Sequence, residues 1–231
     1  GYRGRLCLTR EQLGNKGAVM EQTYIQYGCG FCAPERWRNF DSSPTLRFEK
    51  LPLIGGIYQR NQRRFPKNIE YGDIVKGLPV ADSTCSSVYC SHVLEHLALQ
   101  DFRTALCNTF RVLKPGGVFR FVVPDLAVSV QRYVQSDDPA ASIIFLKETM
   151  LGREKRPRGL VGLVTSWLGN SEHLWMWDFK ALEAELQQVG FKDVRRAVMG
   201  DSGDEMFDLV EERERWRDAL GINCRKPYQP A

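Results

Sequence analysis

Residues 86–124 read SSVYCSHVLEHLALQDFRTALCNTFRVLKPGGVFRFVVP. Ser86–Cys90 is a short apolar run with β-branched and aromatic residues, the composition of a buried strand. From Asp101 onward the pattern changes period. Phe102, Leu106, Phe110 and Leu113 fall at i, i+4, i+8 and i+11, one face of an α-helix. Lys114-Pro-Gly-Gly117 then stops the helix and turns the chain. Val118–Val123 is a second apolar run, halted by Pro124. Strand, helix and strand in that order form a right-handed crossover unit, so the chain belongs to the α/β class with a mostly parallel sheet.

The same alternation extends in both directions. Thr23–Tyr27 reads as a strand ending in Gly28-Cys29-Gly30. Trp37–Phe40 reads as a second strand ending in Asp41, and Asn68–Tyr71 as a third ending in Gly72-Asp73. A further helix is expected from Asp178 to Val189, with Gly190 just past its end. Phe191–Met199 and Gly221–Cys224 read as the last strands. Residues 126–177 hold partly helical sequence that the sheet does not need, and form a candidate lid or acceptor-binding insertion.

The chain has 231 residues, 43% hydrophobic and 26% charged, with a net charge of +4. One domain over 20–228 is the natural division, and a globule of this size needs no disulfide or metal staple. No apolar run reaches the length of a membrane span. Peripheral contact with a membrane stays open, through the basic clusters Arg60, Arg63, Arg64, Lys67 and Arg153, Lys155, Arg156, Arg158. The excess of positive charge is too small to argue for nucleic acid. Seven cysteines with no apolar leader before them read as free thiols in a reducing cytoplasm. Met20 reads as a native start, which makes residues 1–19 an N-terminal extension or residues added for expression.

Four predicted strands end in small or acidic residues: Gly28-x-Gly30, Asp41, Asp73 and Cys90-Ser91-His92. Ligands of doubly wound sheets bind beyond the carboxyl ends of the strands. Glycines there admit a ligand that a Cβ would block, and an acid at a strand end can accept from ribose hydroxyls. A nucleoside ligand accounts for all four endings together.

Two metal readings compete. His92-x-x-Glu95-His96 matches the pattern of inverted zinc peptidases, which requires both histidines on one helix face. Cys29-x-x-Cys32 with Cys90 and His92 could converge on zinc only by filling the nucleoside site. Neither is preferred, and no metal is expected. In His173-Leu-Trp-Met-Trp-Asp178, Asp178 suits a helix N-cap, while the tryptophans and His173 suit an acceptor pocket.

Tyr89–Leu97, Arg111–Gly117 and Phe121–Asp125 together resemble class I S-adenosylmethionine-dependent methyltransferases. With Gly28–Gly30, Asn39–Asp41, Tyr71–Asp73, Gly77–Pro79 and His173, they resemble a bacterial, type 11-like branch associated with small-molecule and glycan functions. The resemblance implies a Rossmann-like fold with a seven-stranded, mostly parallel sheet, helices on both faces and a helical insertion after the fifth strand. It implies S-adenosylmethionine as methyl donor and S-adenosylhomocysteine as product. Tyr27, Gly28, Cys29 and Gly30 would line the methionine part, Asp41 would hold the ribose, and Asp73 and Ile74 would meet the adenine. Cys90, Ser91 and His92 would flank the sulfonium, with His92 and His173 the candidate bases. Gln26 stands where many such enzymes have an acid, and Cys32 where a third glycine is expected. The expected acceptor is a small molecule, a saccharide or glycan intermediate. A catalytically degenerate cofactor-binding partner protein is the alternative. A nucleic-acid methyltransferase is disfavoured, because Cys90-Ser-His-Val stands where amine-targeting enzymes of that kind carry an Asn/Asp-Pro-Pro-aromatic motif.

Overall fold

The computed structural model describes residues 23–50, 64–152 and 172–228. Residues 1–19, Arg60 and Arg63 of the first basic cluster and the whole of the second therefore lie outside it, as does the 153–171 part of the expected insertion. The sheet has seven strands: β1 Thr23–Tyr27, β2 Arg38–Asp41, β3 Ile69–Tyr71, β4 Cys85–Ser91, β5 Leu113–Pro124, β6 Lys192–Ala197 and β7 Ala219–Arg225. Their order is β3-β2-β1-β4-β5-β7-β6. Neighbours from β3 to β5 are parallel, and β7 is antiparallel to both β5 and β6. The chain runs outward from β1 to β3 and then returns to place β4 on the other side of β1. The β1/β4 boundary is thus the switch point of the sheet.

The expected elements are present with shifted ends. β5 runs through Pro115-Gly116-Gly117 because the turn is absorbed as a bulge. Cys85 pairs with Leu113 and Ser87 with Val118, leaving the intervening residues outside the ladder. Gly116 has φ +78°, and a Cβ there would lie 2.4 Å from the Tyr228 ring.

Alternation along the strands gives the sheet two unlike faces. One carries Ile25, Tyr27, Phe40, Val88, Cys90, Phe119, Phe121, Val123 and Ile222, all in one core cluster. Two helices close it. α2 (Leu99–Val112) buries Phe102, Ala105, Leu106 and Val112. α5 (Phe179–Val189) buries Leu182 and Leu186. The Asp178 side chain accepts from Ala181 N at 2.8 Å and caps α5, which ends at Gly190 in the left-handed region. Three other helices are shorter: α1 (Pro44–Glu49), α3 (Leu126–Val134) and α4 (Ala141–Glu148). α3 and α4 pack on each other after β5.

The second face carries Tyr24, Gln26, Asn39, Tyr89, Val118 and Arg120. Only the ten residues 28–37 join β1 to β2, and they form no helix. The β6–β7 connection covers the space instead. Its Met206, Phe207, Val210 and Trp216 pack with Tyr24, Trp37 and Tyr89, and the Trp37 indole donates to Met206 O at 2.9 Å. It includes a 3₁₀ turn at Phe207–Leu209 and the one-turn helix α6, Arg213–Trp216.

Arg120 of β5 anchors this connection. Its guanidinium is fully buried, pairs with Glu211, meets Asp201 at 2.8 Å and donates to Val198 O at 2.7 Å. The other Glu211 oxygen accepts from Gly200 N at 2.8 Å. Removing one partner of a buried pair leaves the other charge uncompensated, at a cost of about 3–5 kcal/mol, whereas replacing both with apolar groups costs far less. Glu211→Ala is therefore expected to lower stability in urea denaturation by about 3–5 kcal/mol. Arg120→Met combined with Glu211→Leu should recover most of the loss. Equal losses in the single and double variants would show that the pair does not hold the connection down.

Candidate active site

The loop after β1 is shaped by its glycines and tied to the end of β2. Gly28 has φ +63°, and a Cβ there would stand 2.2 Å from Val93 Cγ2. Any other residue there would have to displace the Val93 side chain and hold a left-handed backbone. Cys29 N donates to Phe40 O at 3.1 Å. Gly30 N donates to one Asp41 oxygen at 3.0 Å, and Ser43 N donates to the other at 2.7 Å. Asp41 is 8% exposed, and burial raises its pKa above the ordinary carboxylate value. Two backbone donors occupy part of its capacity, since an ionised carboxylate offers about four lone-pair sites.

Gln26 and Cys32, the two departures from the pattern that the resemblance implies, have a structural account. The Gln26 amide donates to Asn39 Oδ1 at 2.6 Å and to Cys32 O at 2.8 Å, pinning the far side of the loop. The Cys32 thiol reaches Leu209 O at 3.7 Å. Next along the strand ends, Gly72 N donates to Asp41 O at 3.1 Å, joining the ends of β2 and β3. Asp73 accepts from Val75 N at 3.0 Å and pairs with Lys76, while Ile74 is buried.

Tyr27 and Cys90 face the core. The Tyr27 hydroxyl lies 3.3 Å from Thr109 Oγ1 and its ring stacks near Phe119. Cys90 is 1% exposed, and burial pushes its thiol far above the usual range. Only the backbone of these two residues faces the strand ends. Cys29, Cys32, Cys90 and His92 form no ligand cluster: among the described residues the only group of three or more metal-capable side chains is Glu95, His96 and His173. The inverted-peptidase arrangement is absent as well. His92 precedes a 3₁₀ turn at Leu94–His96 and is not on a helix.

Arg215 is a site residue that sequence reasoning missed. Its guanidinium donates to Ser91 O at 3.3 Å and to Glu212 at 3.0 Å. The Cβ position of Gly30 lies 3.9 Å from Arg215 Nη2. A cation therefore spans the crevice between the glycine loop and the end of β4. The space beneath it, lined by Gly28, Cys29, Ser91 and Glu212, holds about 10 Å³.

All three histidines of the chain gather next to this crevice. His92 has φ +55° and donates its backbone N–H to Val122 O at 2.9 Å. A non-glycine residue held in this region marks a constrained position. Ser91 Oγ lies 3.2 Å from His92 Nδ1. Burial pushes the His92 pKa down to about 4, helped by Arg215, His173 and His96. Burial and His96 also lower that of His173. Both rings are therefore neutral at physiological pH.

The His173 segment is docked onto the 3₁₀ turn. Leu174 N and Trp175 N both donate to Glu95 O, at 2.9 and 3.1 Å. His96 Nδ1 lies 2.9 Å from Glu172 O, and His173 Nδ1 lies 2.8 Å from Thr149 O. The rings of His96 and His173 are 5.0 Å apart, edge to face. The Glu95 side chain is fully buried, neither oxygen has a hydrogen-bond partner among the described residues, and burial pushes its pKa up to about 8. Trp177 stacks on Phe102 at 4.1 Å within the core, while Trp175 remains 41% exposed.

The family described as Methyltransferase domain matches residues 56–121. That stretch covers β3, β4, α2 and most of β5. No curated protein matches the chain. Similar solved structures include a SAM-dependent methyltransferase from Methanosarcina mazei, at 16% identity and a TM-score of 0.49, covering 91% of this chain and 94% of that one. A SAM-dependent methyltransferase from Archaeoglobus fulgidus has 15% identity and a TM-score of 0.45, covering 89% and 86%. Phosphoethanolamine N-methyltransferase 2 from Haemonchus contortus, in complex with S-adenosyl-L-methionine, has 11% identity and a TM-score of 0.46, covering 89% and 49%. No described helix is long and apolar enough to cross a membrane.

The six described cysteines are free thiols, and the thiolate is their reactive form. Burial, with Asp41 and Cys32 nearby, pushes the Cys29 pKa up to about 12, whereas Cys107 is exposed. Brief alkylation of the native protein at pH 8 should therefore label Cys107 and spare Cys29, with Cys29 reacting only after unfolding. Peptide mass mapping reads the outcome, and native labelling of Cys29 would contradict this placement of the loop.

Proposed function

We propose that the chain is an S-adenosylmethionine-dependent methyltransferase whose acceptor is a small molecule, a saccharide or glycan intermediate. The observation that carries this reading is the convergence, at the switch point, of the Gly28–Gly30 loop, the buried Asp41 carboxylate and the end of β4, within the part of the sheet adjoining the matched stretch. The residues present fit the cofactor. Gly28 keeps the loop low, Asp41 retains lone pairs beyond its two backbone donors, and Arg215 offers a guanidinium for an α-carboxylate.

When bound, the cofactor supplies a methyl group on a sulfonium, a carbon centre that already has a good leaving group. The protein's part is positioning, which can supply about 7–11 kcal/mol. Asp41 accepts from the ribose hydroxyls, the Asp73 and Ile74 turn meets the adenine, and the backbone from Gly28 to Gly30 lines the methionine part with Arg215. The ends of Cys90 and Ser91 and the constrained His92 direct the methyl toward the acceptor. An acceptor held in line by these residues would take the methyl group, with the carbon–sulfur electron pair staying on sulfur. A hydroxyl acceptor must also lose its proton, and neutral His92 or His173 has a lone pair to receive it. Such assistance is typically worth about 10²- to 10⁴-fold. The half-exposed Trp175 beside His173 offers a face for a sugar ring.

The crevice under Arg215 is far smaller than the roughly 300 Å³ that a ligand site of this kind needs. Entry of the methionine end therefore requires the Arg215 side chain to swing away from Ser91 O and Glu212. The constrained His92, next to two further imidazoles, favours an enzyme over a degenerate partner protein.

Calorimetric titration with S-adenosylhomocysteine tests the reading. The full chain should bind in the micromolar range, and Asp41→Ala should weaken binding by about tenfold or more, as expected for loss of hydrogen bonds from a charged group worth about 1.5–3 kcal/mol. No binding by folded wild type, or equal affinity in the variant, would remove the cofactor assignment or the ribose assignment respectively.

A further inference from the structure

Glu95 poses a chemical problem that methyl transfer leaves unsolved. Its carboxyl group is completely enclosed, and among the described residues neither oxygen has a hydrogen-bond partner. Burying such a group unpaired costs several kcal/mol, so each case in a native structure calls for a partner. Among the described residues the metal-capable groups clustered with it are His96 and His173, and the Cys90 thiol also lies within its field. One ligand atom from each of the three residues lies within 4.8 Å of the other two.

The histidines are prepared in a specific way. Each places Nδ1 against a backbone carbonyl, Glu172 O for His96 and Thr149 O for His173. A carbonyl can only accept, so both Nδ1 atoms carry the proton and both Nε2 atoms keep a free lone pair. A ring fixed through Nδ1–H and a carbonyl is the usual support of a metal-binding histidine. Two imidazoles and one carboxylate form a ligand set suited to divalent first-row transition metals.

We propose that Glu95, His96 and His173 bind one divalent transition-metal ion, of the class of Zn²⁺, Co²⁺, Mn²⁺ or Fe²⁺. The ion gives the Glu95 carboxylate its missing partner. Ligands at about 2.0–2.2 Å in tetrahedral geometry stand roughly 3.4 Å apart, so the three groups draw together by up to roughly 1.4 Å on loading. The movement is local, since His96 ends the 3₁₀ turn and His173 lies on the segment docked upon it through Leu174 N and Trp175 N. Arg215 is the cation whose field reaches Glu95, and it is engaged with Glu212 and Ser91 O. Three protein ligands leave coordination positions open, as in catalytic rather than structural sites. On the methyl-transfer reading, those positions would hold an acceptor oxygen next to His92, and His92 rather than the ligated His173 would take its proton. That role of the ion depends on the proposed function, whereas metal binding itself does not.

The experiment is a titration of the chelator-treated full chain with Co²⁺, without S-adenosylhomocysteine, followed by visible absorption and calorimetry, with Zn²⁺ as competitor. One equivalent should bind, give the ligand-field bands of a histidine-ligated ion, and be displaced by Zn²⁺. Glu95→Gln, His96→Ala and His173→Ala should each weaken binding by more than roughly 100-fold, beyond the cost of losing a supporting hydrogen bond. Asp41→Ala should bind Co²⁺ as wild type does, and circular dichroism confirms the fold of each variant. Absence of stoichiometric binding by the folded wild type would overturn the site, as would undiminished binding in folded His173→Ala. Failure of S-adenosylhomocysteine to bind, with the Co²⁺ result intact, would sink the methyl-transfer reading alone.

Discussion

Ten residues, 28–37, carry the chain from β1 to the parallel strand β2. A parallel connection through a helix needs about a dozen or more, so this one crosses as a loop. The sheet face beneath it would stay bare with Tyr24, Tyr89 and Val118 exposed to water. The β6–β7 connection meets that constraint by folding back across the face and filling it with Met206, Phe207, Val210 and Trp216. Polar groups on the same face make the cover specific. Arg120 takes Glu211 and Asp201, and the Trp37 indole takes Met206 O.

The candidate site is a by-product of this arrangement. Because the cover comes from a distant part of the chain, its far end delivers Arg215 and Glu212 to the gap between the glycine loop and Ser91. The other sheet face is packed by α2 and α5, and the segment entering α5 carries His173 onto the turn after β4. The two faces thus supply different groups to one end of the sheet: a cation from one side, and a second imidazole for Glu95 and His96 from the other.

The sequence showed much of the frame because local signals decided it. The apolar runs of β1 to β4 stop at residues that stop strands, α2 has a clear 3.6-residue period, and Asp178 and Gly190 bracket α5. What stayed hidden depends on contacts distant along the chain. Arg120 reads as an ordinary strand residue, yet its acids lie 81 and 91 positions away. Arg215 is 124 positions from Ser91, and no local pattern announces it. Glu95 and His96 were visible in the His-x-x-Glu-His run, but their role was not. That run suggests a helix, whereas His92 takes a left-handed conformation and the chain forms a 3₁₀ turn. The turn joins Glu95 and His96 to a residue 77 positions beyond His96. The resemblance places Tyr27 and Cys90 in the site, but alternation turns their side chains into the core.

The central claim is that the ends of β1, β2 and β4 form one cradle for a methyl donor, closed by Arg215. A crystal structure of the full chain grown with S-adenosylhomocysteine tests it most directly. The account predicts density with ribose hydroxyls on Asp41, the amino-acid end under a displaced Arg215, and sulfur facing His92. Density elsewhere on the molecule, or Asp41 still bound only to Gly30 and Ser43 with the ligand present at saturating concentration, would contradict it.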